Sequence, residues 1–279
     1  MGADALERPV LIYQGKTSHE VHRELLWPVL GTLVAPLVLG CLSVYLFRLS
    51  GSGTAVALAL AFLMIGLLAC TTLVLFPQRE EVAASASAVA LVLSVAFLIV
   101  LLPSSGLIYA DEAAMVVAAG GAVLLYLRKV EMPTIGLTRL RESSVAVVFL
   151  LPIGLALAES LFLGLRFWES YHIGSSTILL VPMLAAWGFI EEGLFRGVLL
   201  RSSVPLLGTR GALLLSSFLY AAFMLLWGSL PFALFSFALG WLMGVLYLRS
   251  RSLMYVGTVH ALTDTWMVIS FIVLGIGVN

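Results

Sequence analysis

The sequence predicts an all-α fold, a polytopic transmembrane bundle of about nine helices, and three of its features carry that prediction. Of 279 residues, 61% are apolar and 11% charged, with a mean hydropathy of +1.11. Soluble chains are about 45–50% apolar and about 25% charged, so the solvent this composition suits is a bilayer. The apolar residues also gather into runs of ~20, the length that crosses ~30 Å of hydrocarbon. Finally, no hydrophilic insertion is long enough to fold as a soluble domain. A net charge of zero gives no basic field for nucleic acid. The implied partner is the lipid bilayer, and nothing in the sequence fixes an oligomeric state.

Taken in order, residues 1–24 read as a polar cytoplasmic segment, without the apolar stretch and small-residue cleavage site of a removable signal. Spans follow near 25–47, 54–76, 82–102, 107–127, 144–165, 176–200, 211–228, 231–248 and 253–275. The fourth carries Asp111 and Glu112 in its first turn, where acids favour the helix dipole. Gly228-Ser229-Leu230-Pro231 marks a tight turn between the seventh and eighth. The charged Arg128–Glu142 loop divides N-terminal membrane helices (25–130) from a second membrane domain (131–279). Cys41 and Cys70 sit within apolar runs as packing residues, with neither disulfide nor metal spacing.

With the N-terminus inside, one side collects Arg8, Lys16, Arg23, Arg79, Arg128, Lys129, Arg139, Arg141, Arg201, Arg210, Arg249 and Arg251. The other side receives only Arg48 and Arg166. This asymmetry obeys the positive-inside rule and places Asn279 outside.

Ionisable residues within spans cost at least ~2.5–3.5 kcal/mol and mark function by default. The foremost set is Glu191, Glu192 and Arg196. Glu192 and Arg196 are i,i+4 on one helix face and can pair, whereas Glu191 is turned from Glu192 by about 100°. The spacing thus assigns Glu192 to an ion pair and leaves Glu191 for chemistry, since a carboxylate in a low-dielectric pocket suits a general base. The plain alternative is a salt-bridged helix end beneath the headgroups. A second set, His260 and Asp264, is again i,i+4, and its plain alternative is a satisfied pair that packs the last helix. Glu191 lies ten residues before Arg201 and His260 nine after Arg251, so both sit roughly 13–15 Å from their cytoplasmic ends at 1.5 Å per residue. Matching depths predict one shared site open to the cytoplasmic side. Glu159 counts as deeper, near the outer leaflet, where snorkelling or pairing with Arg166 accounts for it. His172, His19 and His22 fall in polar segments and suggest no chemistry.

These residues resemble the CPBP family of CAAX prenyl endopeptidases and bacteriocin-processing proteins, also called the ABI family, over roughly 134–275. Glu191, Glu192 and Arg196 match its Glu-Glu-x-x-x-Arg motif, with Phe195 and Gly197 flanking the arginine. His260 and Asp264 match its His-x-x-x-Asn/Asp motif. Ile135-Gly136-Leu137 and the Gly240/Gly244 pair are lesser matches. The resemblance implies an intramembrane endopeptidase acting on a membrane-associated peptide or protein. Glu191 would activate water, Glu192 and Arg196 would support it, and His260 and Asp264 would stabilise the oxyanion. No cofactor is implied. A glutamic-type reaction is the reading, although Glu, His and Asp could also ligate a divalent ion as in members described as metalloproteases; no His-Glu-x-x-His pattern occurs.

The family's middle motif, Phe-x-x-x-His, is not met. In the ungapped register the chain has Tyr220 and Met224 there, and a shift of three gives Phe223 and Trp227. A thioether cannot pass a proton, so Glu191 would work without that histidine or with Tyr220 as a partial substitute. The alternative is a catalytically impaired relative that acts by binding or scaffolding. A transporter or proton relay would also use buried Glu, His and Asp, but the paired repeats common in transporters are not evident.

Overall fold

The computed structural model describes residues 31, 34–50, 53–75, 80–101, 116–124, 145–163, 177–227 and 230–274. Their elements are helical: α1 (Ala35–Ser50), α2 (Gly53–Leu75), α3 (Glu80–Leu101), a stretch over 116–124, α4 (Val145–Leu163) and α5 (Thr177–Glu192). A π-helical segment (Gly193–Leu200) continues α5 into α6 (Arg201–Met224), which ends in a 3-10 turn (Leu225–Trp227). Then come α7 (Leu230–Ser250) and α8 (Leu253–Leu274). Val56–Val74, Val82–Val100, Val181–Trp227 and Leu230–Ser250 are long and apolar enough to cross a membrane, and Ala35–Phe47 and Val147–Phe162 are shorter apolar helices. The chain is an all-α, multi-pass integral membrane protein with a helix count close to the nine expected. The polar segment 1–24, Asp111 and Glu112, the Arg128–Glu142 loop, Arg166, His172 and Asn279 lie outside the described residues.

Composition explains the surface. Leu58, Ile65 and Leu68 of α2 are exposed, as lipid-facing side chains are in a bilayer protein. Between neighbouring helices small residues permit close approach. A Cβ on Gly66 would stand 2.7 Å from Pro36 of α1 and 3.0 Å from Leu93 of α3, and one on Gly244 of α7 would overlap Leu213 of α6. Cys41 and Cys70 are both fully buried free thiols.

Two connections fix the register of the second half. At Gly208 the backbone takes φ 67°, ψ 171°, a region open essentially to glycine alone, and the helical path from Val181 to Trp227 breaks there. The break falls between the expected sixth and seventh spans. Between α7 and α8, Arg251 adopts φ 54° and its N–H donates to the Tyr247 carbonyl at 2.7 Å. Ser252 then caps α8, its Oγ accepting from the Tyr255 N–H at 3.1 Å, the N3 donor such a cap serves. α5 packs along α8, α8 along α4, and α6 along α7, while α3 leans on α6. Glu191, Glu192, Arg196, His260 and Asp264 are all buried on α5, the π segment and α8.

Candidate active site

α5 ends on Glu191 and Glu192, and the backbone widens into its π segment directly after them. Such widening is frequent at functional sites. All eight residues of the segment are buried, Arg196 completely. A buried guanidinium needs partners for its donors. Arg196 Nη1 donates to Glu192 Oε1 at 2.9 Å and Nη2 to the Gly240 carbonyl of α7 at 3.0 Å. Its guanidinium carbon also lies 4.8 Å from the centroid of the Tyr220 ring, within cation–π range. Glycine at 240 eases this close approach, because a Cβ there would meet Tyr220 Cδ1 at 3.1 Å and Ser217 Cα at 3.2 Å.

His260 enters from α8 between the two glutamates. Its Nδ1 stands 2.7 Å from Glu192 Oε1, and its Nε2 lies 3.6 Å from Glu191 Oε2 and 3.7 Å from Asp264 Oδ1. A carboxylate only accepts, so the short contact places the proton on Nδ1. Nε2 is then a lone pair in the neutral ring and a donor only in the imidazolium. The i,i+4 partners His260 and Asp264 share the site without a direct hydrogen bond. Helix contact makes this possible: a Cβ on Gly188 would stand 3.0 Å from Asp264 Oδ2 and 3.2 Å from the Ala261 nitrogen, and one on Gly257 would overlap the Phe189 ring.

From α6, Tyr220 donates its hydroxyl to Glu191 Oε2 at 2.9 Å. The ring is held by Phe195 at 5.0 Å between centroids, edge to face, and by His260 at 6.4 Å. Phe223 and Trp227 extend the aromatic column. Met224 is buried one turn beyond Tyr220. The polar group that reaches Glu191 from this helix is therefore the phenol.

Glu191, Glu192, Arg196, His260 and Asp264 thus lie together, all buried, and Tyr220 joins them. The family model described as type II CAAX prenyl endopeptidase Rce1-like matches residues 173–266. The CPBP-family resemblance is shown for that stretch. The match contains every residue just named and is narrower than the 134–275 over which the motifs suggested a likeness. The family is one of endopeptidases, which supports a CAAX-type intramembrane protease at family level. Neither the curated proteins nor the solved structures gave a match to the chain.

Glu159, whose expected partner Arg166 lies outside the described residues, is itself described. It is buried and within electrostatic reach of His260 and Glu191. Among the described residues no group of three or more His, Cys, Asp or Glu side chains is arranged to hold a metal ion. The geometry present does not fit one, and no step below is routed through a metal.

Proposed function

We propose that the chain is an intramembrane endopeptidase of the CPBP type in which Glu191 activates water against a peptide bond. The observation that carries this reading is the division of labour between adjacent carboxylates. Glu192 Oε1 is committed to Arg196 and His260, whereas among the described residues Glu191 meets only the Tyr220 hydroxyl at hydrogen-bond distance and faces His260 Nε2 at 3.6 Å. Water held between Glu191 and Nε2 would lose its proton to Glu191. The imidazolium form of His260, oriented through Nδ1 by Glu192, and Asp264 in its acid form would donate to the oxyanion. Glu192 and Arg196 act by fixing that orientation. Tyr220 takes over part of the positioning that the family's middle histidine would supply, holding Glu191 on the side where Met224 cannot.

Residues 131–279 form the catalytic-core domain in this reading, and 25–130 are accessory helices behind the cytoplasmic segment 1–24. The site opens toward the cytoplasmic side, the N-terminus lies inside and the C-terminus outside, and the substrate is a membrane-associated peptide or protein. Glu191→Ala is expected to abolish cleavage of a membrane-proximal peptide by the purified protein in liposomes; undiminished cleavage by that variant sinks the reading.

One observation favours a second reading, a catalytically impaired protein that acts by binding or scaffolding. Met224 stands where the family has histidine, and a thioether cannot accept or pass the proton that histidine would handle. That reading predicts no turnover by the wild type and activity gained in Met224→His. Robust wild-type turnover ends it.

A further inference from the structure

Glu159 lies outside the 173–266 match and outside every motif, yet the fold turns it toward the site. Helical spacing divides α4 into two faces. Leu150, Leu157 and Leu161 are exposed, Leu161 at 82%, whereas Pro152, Ala156 and Glu159 form a buried stripe at i, i+4 and i+7. α4 packs lengthwise on α8, the helix of His260 and Asp264, and meets α7 where Phe162 stacks on Phe235 at 5.1 Å. Glu159 is 5% exposed and, among the described residues, its Oε2 has no hydrogen-bond partner. Snorkelling does not explain a carboxyl on the buried face, and an orphaned carboxyl oxygen at membrane depth is costly. Glu191, His260, Asp264 and Tyr220 all lie within its electrostatic reach.

We propose that Glu159 is a further residue of this site, the carboxyl that gives a proton to the leaving amine while Glu191 takes one from water. The proposal rests on the endopeptidase reading above. Charge counting shows why a donor is present. Among the described residues, Glu159 from α4, Glu191 and Glu192 from α5, and Asp264 from α8 face two cationic side chains, Arg196 and His260, with Tyr220 beside them from α6. Glu192 is matched by Arg196. A fully protonated His260 balances one more carboxylate, and the two left over share protons rather than ionise together in a low-dielectric site. In the step itself, water passes a proton to Glu191 and its oxygen bonds to the carbonyl carbon. The C–N bond breaks as the nitrogen takes the proton of Glu159, and the proton on Glu191 then moves to Glu159 by way of His260. One water is consumed and both carboxyls return to their starting forms.

The test compares wild type, Glu159→Gln, Glu159→Asp and Glu191→Gln, as full chains in liposomes with a membrane-anchored fluorogenic peptide. Glu159→Gln is expected to lower kcat about a hundredfold, the scale of general acid catalysis. KM should stay within about twofold of wild type, the alkaline limb of the pH profile should vanish, and Glu159→Asp should recover part of the rate. Wild-type kcat and pH profile in Glu159→Gln, beside an inactive Glu191→Gln, overturn the proposal and leave the Glu191 reading standing. An active Glu191→Gln overturns that reading instead. Infrared difference spectra between two pH values give a readout independent of turnover and decide the matter if the wild type cleaves nothing. A carboxylic-acid C=O band that disappears in Glu159→Gln and shifts in Glu191→Gln supports the assignment, and a band unchanged in Glu159→Gln overturns it.

Discussion

Arg196 joins three helices through one planar group. One nitrogen holds Glu192 of α5, another holds the Gly240 carbonyl of α7, and the guanidinium face covers Tyr220 of α6. Replacing it by alanine would leave Glu192 as a buried carboxylate with His260 as its remaining partner, a change that costs about 3–5 kcal/mol in comparable buried pairs. Arg196→Ala is therefore expected to lower the unfolding midpoint in detergent sharply. Arg196→Lys should recover little, because an ammonium cannot reproduce the two-pronged geometry; a lysine variant as stable as wild type would contradict this. The Glu192–Arg196 pair was legible from i,i+4 spacing alone. The contact of Glu192 with His260 was not, since it spans 68 residues and helical periodicity carries no information about which faces of distant helices meet. Tyr220 was legible only as the residue standing in a family position. Its hydroxyl on Glu191 depends on the rotation of α6 about its own axis.

Among elements, the continuous path from α5 through the π segment to α6 owes its shape to two glycine-containing points. The π segment begins at Gly193, and its widened backbone follows both glutamates; an 8-residue run of this kind leaves no mark in hydropathy, because π- and α-helices bury similar side chains. The gap between the expected spans 176–200 and 211–228 was legible, though the positive φ of Gly208 within it could not be read. Gly208→Ala should destabilise the protein by about 1–3 kcal/mol, the usual cost of a strained backbone region, while leaving the site residues untouched. Equilibrium unfolding of the purified variant checks this, and wild-type stability would show that the break relaxes without strain. Glu159 marks the limit of one-dimensional counting at this scale. Its residue number suggested a depth and a partner in Arg166, but not that it lies on the buried face of α4 with Pro152 and Ala156.

At the scale of the whole molecule, composition made the bilayer setting and the helical class plain, because only helices and closed barrels satisfy their backbone in hydrocarbon. The direction of insertion follows from the side to which Lys and Arg are assigned. A single cysteine added near the N-terminus is expected to resist a membrane-impermeant maleimide in intact cells, and one added at Asn279 to react. The opposite pattern would reverse the topology, and the buried Cys41 and Cys70 keep the background low. The pairing of Glu192 with Arg196 also bears on biosynthesis. These two residues enter the membrane on one continuous helical stretch and neutralise each other locally, long before the ribosome has made His260 of α8. Glu191 has no such companion on its own helix, since Tyr220 and His260 both arrive later. The translocon must therefore accept one unescorted carboxyl, and the nascent chain holds that carboxyl in the least settled state until the last described helix is inserted.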